Sequence, residues 1–238
     1  MTNELGGMDL PRPAPAPDEG PLDASLYDLV ETRVRRLFTA NPITATYFGI
    51  HEGDHRLGDA SRDAVEQEIA DEKAHLAAVE ALDPASLSAE ARFERDLELH
   101  NLHLGLFDAD VVRRWERRGQ AAGDIGDAVF ALFARGAAPL DERLARIADR
   151  LEAVPAFLDQ SRSRAAGPQV AVWQKVELRY AKDLPGLLAE VREAAEPELD
   201  GRELARLDGA IAKARTSLDD YATWLDGTLA TATDAWPL

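Results

Sequence analysis

His51-Glu52-Gly53-Asp54-His55 matches the H-E-x-x-H pattern of a hydrolytic zinc site. On a helix, two histidines four apart share one face and each can give a ring nitrogen to zinc, while the glutamate polarises the bound water. That geometry needs helical backbone through all five residues. Gly53 lies inside the pentad, Gly49 precedes it, and Gly58-Asp59-Ala60-Ser61 follows, all residues that favour turns. The spacing therefore predicts a polar loop between two helices. An unconventional zinc site in that loop is the competing reading, with Glu68 or Glu72 on the following helix available as a third ligand.

Other residues offer weaker chemistry. His100, His103 and Asp96 fall within about 60° of one another on a helical wheel, half of a metal site. Phe93, Leu97, Leu104 and Phe107 share that face, so His100 reads more simply as a histidine at the edge of a core. Glu90, Glu94 and Glu98 are spaced for one helix face, but Arg92 and Arg95 interleave with them and predict a solvated, partly paired surface. A di-iron centre would need Glu-x-x-His motifs on two helices, and the two such pairs are Glu52/His55, in the glycine-rich loop, and Glu72/His75. Trp115, Trp173, Trp224 and Trp236 could line a pocket, although large aromatics in helical proteins more often pack cores. There is no phosphate-binding loop, dinucleotide fingerprint or nucleophile elbow. No catalytic or metal-binding residue is assigned.

Composition narrows the partners. The 238 residues carry a net charge of -17, which repels nucleic acid and anionic membranes. The absence of cysteine removes disulfides, thiolate metal sites and cysteine nucleophiles. No apolar run is long enough to span a bilayer and no secretory leader is recognisable, so a cytoplasmic location is expected.

The elements that would position these residues are helical almost throughout. Residues 1–21 are proline-rich and expected to be a disordered tail, leaving 22–238 as one helical domain. A helix from Asp23 or Ser25 ends at Asn41-Pro42, and a short one runs to Phe48. Ser61 caps a helix to about Leu82, and Ser88 opens the longest, to about Arg118, with Phe93, Leu97, Leu104, Phe107 and Val111 as its inner stripe. Further helices start near Asp124 and Pro139, break at Pro155, resume after Pro168 with a kink or break at Pro185, and finish with one from Gly201 to about Thr231. The fold class is an all-α antiparallel multi-helix bundle of about eight helices.

Three segments resemble a large bacterial family catalogued as domain of unknown function 885. Asn41-Pro42-Ile43-Thr44-Ala45-Thr46-Tyr47-Phe48-Gly49-Ile50-His51-Glu52 is similar to its P-x-x-A-T-x-x-G-x-H-E segment, with Asp54 and Arg56-Leu57 following. Asp83-Pro84-Ala85-Ser86-Leu87-Ser88 and Pro139-Leu140-Asp141-Glu142-Arg143-Leu144 resemble its DP-x-x-L-S and P-L-x-x-R-L segments. The resemblance implies relatives much longer than this chain that look like zinc metallopeptidases, with an H-E-x-x-P-G-H-H motif in a C-terminal half. This sequence has no such motif, so zinc is implied only for that missing half and no cofactor for this chain. The family's counterpart of His55 is commonly Asp, which sets His55 apart from any family chemistry. The expected role is a non-catalytic N-terminal helical domain walling one side of a substrate cleft, with His51, Glu52, Asp54 and Arg56 as cleft-lining candidates. Its partners would be a C-terminal catalytic half or a second copy, and a peptide as substrate. The alternative is a free-standing helical binding or scaffold protein without enzymatic activity.

Overall fold

The computed structural model describes residues 19–234, and the proline-rich segment before Glu19 and Trp236 lie outside them. Eight α-helices occupy the described residues: α1 (Asp23–Ala40), α2 (Pro42–Tyr47), α3 (Arg62–Glu80), α4 (Ala89–Leu106), α5 (Ala121–Ala134), α6 (Leu140–Arg164), α7 (Ala171–Ala195) and α8 (Gly201–Leu229). The chain is an all-α bundle, with a single isolated bridge between Val170 and Thr233 as its only strand-like pairing among the described residues. No helix of the described residues is long and apolar enough to cross a membrane.

The chain divides into two compact units. The first, a three-helix unit, holds the described residues up to Thr39 together with Asp63–Arg114, and so carries α1, α3 and α4. Its apolar core is small: Leu26, Val79, Leu87 and Ala91. Polar groups do much of the remaining joining. Arg33 grips the Glu72 carboxylate through Nε (2.9 Å) and Nη2 (2.7 Å) and reaches Glu98 at 3.2 Å, Arg36 adds a 2.6 Å bond to Glu72, and His75 Nε2 lies 2.8 Å from Glu98. The Glu72/His75 pair noted in the sequence is thus spent on contacts within this unit, Glu72 with Arg33 and Arg36 and His75 with Glu98. At the start of α1, buried Asp23 accepts from the Ser88 amide (2.9 Å) and the Gly20 amide (3.0 Å), while Ser88 caps α4.

The second, a five-helix unit, holds Ala40–Arg62 and the chain from Trp115 onward, with α2, α5, α6, α7 and α8. Its core is extensive, with Ile125, Val129, Leu144, Leu151, Leu158, Leu188, Leu207 and Leu218 all fully enclosed. Helix α8 begins with a reciprocal capping box between Asp200 and Glu203.

Three expectations change. Helix α6 runs unbroken through Pro155, and α7 through Pro185. Each proline removes one backbone donor, but apolar residues on both sides of it, Leu151, Val154, Phe157 and Leu158 in α6, are buried in one core and hold the helix together. The longest predicted helix is shorter than expected: α4 ends at Leu106, continues as a π-turn over Phe107–Val112, and stops at Arg113, which adopts φ +50°. Its inner and outer faces are also exchanged. Ala91, Arg95 and Leu102 are buried, whereas Phe93, Leu97, Leu104, Phe107 and Val111 are exposed, as are His100 and His103.

Candidate functional site

The pentad lies in a loop of successive turns, and no helix passes through it. Gly49 (φ +81°) leaves α2 in the left-handed region that favours glycine, and Gly53 approaches α2 so closely that a Cβ there would stand 2.8 Å from Pro42 Cβ. Leu57 and Ala60 anchor the far side of the loop in the core of the five-helix unit. His51 and His55 therefore do not share a helix face. His55 is exposed, and His51 Nδ1 instead contacts Asp54 Oδ2 at 2.8 Å. Among the described residues no group of three His, Asp or Glu side chains is placed to hold a metal ion.

Asp54 connects this surface to the wholly buried Arg150. Its other oxygen lies 2.6 Å from the Thr46 hydroxyl and 3.8 Å from Arg150 Nη2. Arg150, on α6, is wholly buried, donating to Thr46 Oγ1 (2.7 Å) and to the carbonyl of Ala128 on α5 (2.7 Å). Burial pushes its pKa down to about 10, although the Asp54 carboxylate pulls the other way. A buried cation is tolerable only with such partners. The sequence places Arg150 four residues after Arg146 on a helix otherwise read by its leucines, and nothing local distinguishes the buried arginine from the exposed one.

His51 and Asp54 form one side of an open recess of about 200 Å³, whose other side carries Arg135, Glu142, Arg143 and Arg146. Two of these arginines are committed to backbone. Arg135 donates to the Tyr47 carbonyl at 2.6 Å and covers the Tyr47 ring, while Arg143 donates to the carbonyls of Leu132 (2.8 Å), Phe133 (2.6 Å) and Ala138 (2.9 Å). Arg143 thereby satisfies the C-terminal carbonyls of α5, which has no basic residue in its own last turn. Of the four sequence candidates, His51 and Asp54 come together at the recess. Glu52 is exposed and Arg56 lies against the Gly53 side of the loop, neither lining it. The tryptophans separate: Arg62 covers Trp115, Trp224 stacks on Tyr221 at 5.4 Å, and Trp173 lines a different recess.

The profile of the family described as "Bacterial protein of unknown function (DUF885)" matches residues 42–237. No curated protein matches the chain. A solved structure described as "a putative lipoprotein of unknown function from Shewanella oneidensis" is similar in fold, with a TM-score of 0.71 and 18% identity over 86% of this chain. The chain spans 38% of the length of that neighbour.

Proposed function

The chain belongs to the DUF885 family of bacterial proteins of unknown function, and on that premise we propose that it is the non-catalytic helical part of a metallopeptidase-like protein, walling one side of a peptide cleft. The observation that carries this reading is the outward stripe of α4 and its π-turn. Phe93, Leu97, Leu104, Phe107 and Val111 are each about half exposed or more, at helical spacing, on a face that a self-sufficient bundle would keep polar. The occupant proposed for it is the remainder of a longer family protein, in keeping with a structural neighbour more than twice as long as the matched region. A second support comes from the family-like segments, whose polar residues go into holding the fold: Thr46 and Asp54 on Arg150, Asp83 and Ser88 as helix caps, Arg143 on the end of α5. His51 and Glu142 of those segments face the open recess, a surface where substrate could pass.

A free-standing scaffold would expect polar outer faces on all its long helices. Helix α8 meets that expectation and α4 does not. The test is to purify the chain and follow its mass by light scattering with added zinc and a mixed peptide substrate. Self-association that Phe93→Ser and Val111→Ser relieve, with no peptide cleavage, supports the proposal. A monomer that cleaves peptides, and stops doing so on His51→Ala, overturns it. A cytoplasmic location is carried with the proposal, and cell fractionation distinguishes it from the membrane anchoring that the neighbour's description as a lipoprotein suggests.

A further inference from the structure

Arginines on one face of α6 set the charge of the His51 recess. Arg143, Arg146 and Arg150 follow one another at intervals of three and four, which on a helix share a face. Arg150 is used inward, against Asp54. Arg143 and Arg146 reach the recess, and Arg135 joins them from the end of α5. In a chain of net charge -17 this is a local concentration of positive charge.

Two carboxylates, Asp54 and Glu142, share the lining. Asp54 is met from within the fold by His51 (2.8 Å), Thr46 (2.6 Å) and Arg150 (3.8 Å). The arginines, by contrast, have donors to spare. A guanidinium carries N–H groups on all three of its nitrogens. Arg135 donates to the Tyr47 carbonyl from Nη1, and Arg143 donates to the carbonyls of Ala138, Leu132 and Phe133 from Nε and Nη1, so that Nη2 of each is uncommitted among the described residues. The same bonds hold both guanidinium groups in place, and a ligand that uses the remaining N–H groups has little side-chain freedom left to remove. Arg146 has no such task in the fold. It stands 3.5 Å from Asp149, which Arg206 holds more closely at 2.7 Å.

The chemistry of the lining selects the anion. Guanidinium groups match the planar fork of a carboxylate. Three arginines against two carboxylates leave the charge of one cation, which suits a singly charged carboxylate better than a doubly charged phosphate. Ala131, Leu132, Ala137 and Ala138 add small apolar surface beside these charges. A volume of about 200 Å³ falls below the roughly 300 Å³ at which pockets for whole small ligands begin, so the recess takes the end of a ligand. We propose that the His51 recess binds the C-terminal carboxylate of a peptide ending in a small aliphatic residue, with the carboxylate on Arg143 and Arg146 and the side chain on the alanines. The proposal rests on the reading of this recess as part of a peptide cleft and names the end of the peptide that it takes.

The test is calorimetric titration of the purified chain with N-acetyl-trialanine, with its C-terminal amide, and with the amide of N-acetyl-Ala-Glu-Ala, whose carboxylate is on a side chain. The expected result is one saturable site for the free acid and none for either amide. Arg146→Gln should weaken binding about tenfold. Arg179→Gln, on an exposed α7 residue outside the recess, removes the same charge and should leave binding unchanged. No saturable binding of the free acid, equal binding of acid and amide, a preference for the glutamate peptide, or equal weakening by the two substitutions overturns the proposal. Light scattering on the same samples separates the two readings. Failure of binding in a chain whose self-association Phe93→Ser relieves sinks the carboxylate site alone, whereas a monomer that cleaves trialanine overturns the cleft-wall reading on which it rests.

Discussion

In the three-helix unit the partly buried carboxylate of Glu98 meets His75 and Arg33 directly, whereas in the five-helix unit Glu177 and Asp124 accept from backbone amides, the Tyr221 hydroxyl and the Gln120 side chain. The consequences for ionisation are opposite. Burial alone would raise the pKa of Glu98, but the His75 bond and the Arg33 charge outweigh it and hold the group below its ordinary value. Glu177 is buried behind amide and hydroxyl donors from Ala122, Gly123 and Tyr221, yet burial wins and its pKa is raised. Asp124 is pushed up to about 6, chiefly by burial, against the Gln120 bond and the Arg164 charge. The unit with little apolar core is tied by charge, and the unit with a large core carries carboxylates whose ionisation its burial disfavours.

The largest effect should come from removing Arg150, the wholly buried cation of the five-helix unit. Arg150→Ala leaves the Ala128 carbonyl and Thr46 without their donor and should cost about 3–5 kcal/mol in urea unfolding. Arg150→Met, which fills the space without the charge, should recover part of that loss, and an equal loss in both variants would contradict the assignment.

Acidification should separate the two units next. Glu98 has a lowered folded pKa, so the stability it contributes is present above its ordinary value of 4.5 and lost as pH falls through the lower folded value. Trp115, Trp173 and Trp224 all belong to the five-helix unit. Between pH 5 and about pH 3, helix content by circular dichroism should fall while tryptophan emission holds. Loss of the emission first would reverse the comparison.

Asp124 should respond in the other direction. Its folded pKa is raised, so the stability it contributes is complete below 3.8 and is lost as pH rises through about 6. Asp124→Asn should therefore stabilise the protein by about 1 kcal/mol at neutral pH, with the difference from the parent closing as the pH drops below 6. A constant difference across that range would mean the carboxylate is not the cause. The smallest change in stability is expected for Phe93→Ser, within about 0.5 kcal/mol, although the same substitution should reduce self-association.

How much of this was legible follows from the range over which each residue acts. Helix positions were readable because capping and punctuation are local: Ser88 caps the helix it was read to open, and Pro42 starts the short helix read to follow Asn41. Pro155 misled because a local cost is set against tertiary packing that no window shows. The α4 stripe was read correctly as apolar and wrongly as inward, since periodicity identifies a face without saying what covers it. At the His51 loop, the glycines indicated turns. The Thr46, Asp54 and Arg150 link joins residues about a hundred positions apart and leaves no spacing to detect.

Helix α5 has both ends completed from elsewhere in the chain. Glu177 of α7 receives the Ala122 and Gly123 amides at its start, and Arg143 of α6 takes the Leu132 and Phe133 carbonyls at its end. Arg95 of α4 serves the end of α3 in the same way, through the carbonyls of Val79 and Glu80. During synthesis, then, α5 leaves the ribosome without either terminus satisfied, and must wait for two helices made after it. Chain order and order of completion part company: the C-terminal end of α5 is met once Arg143 has emerged, and its N-terminal turn only once Glu177 has.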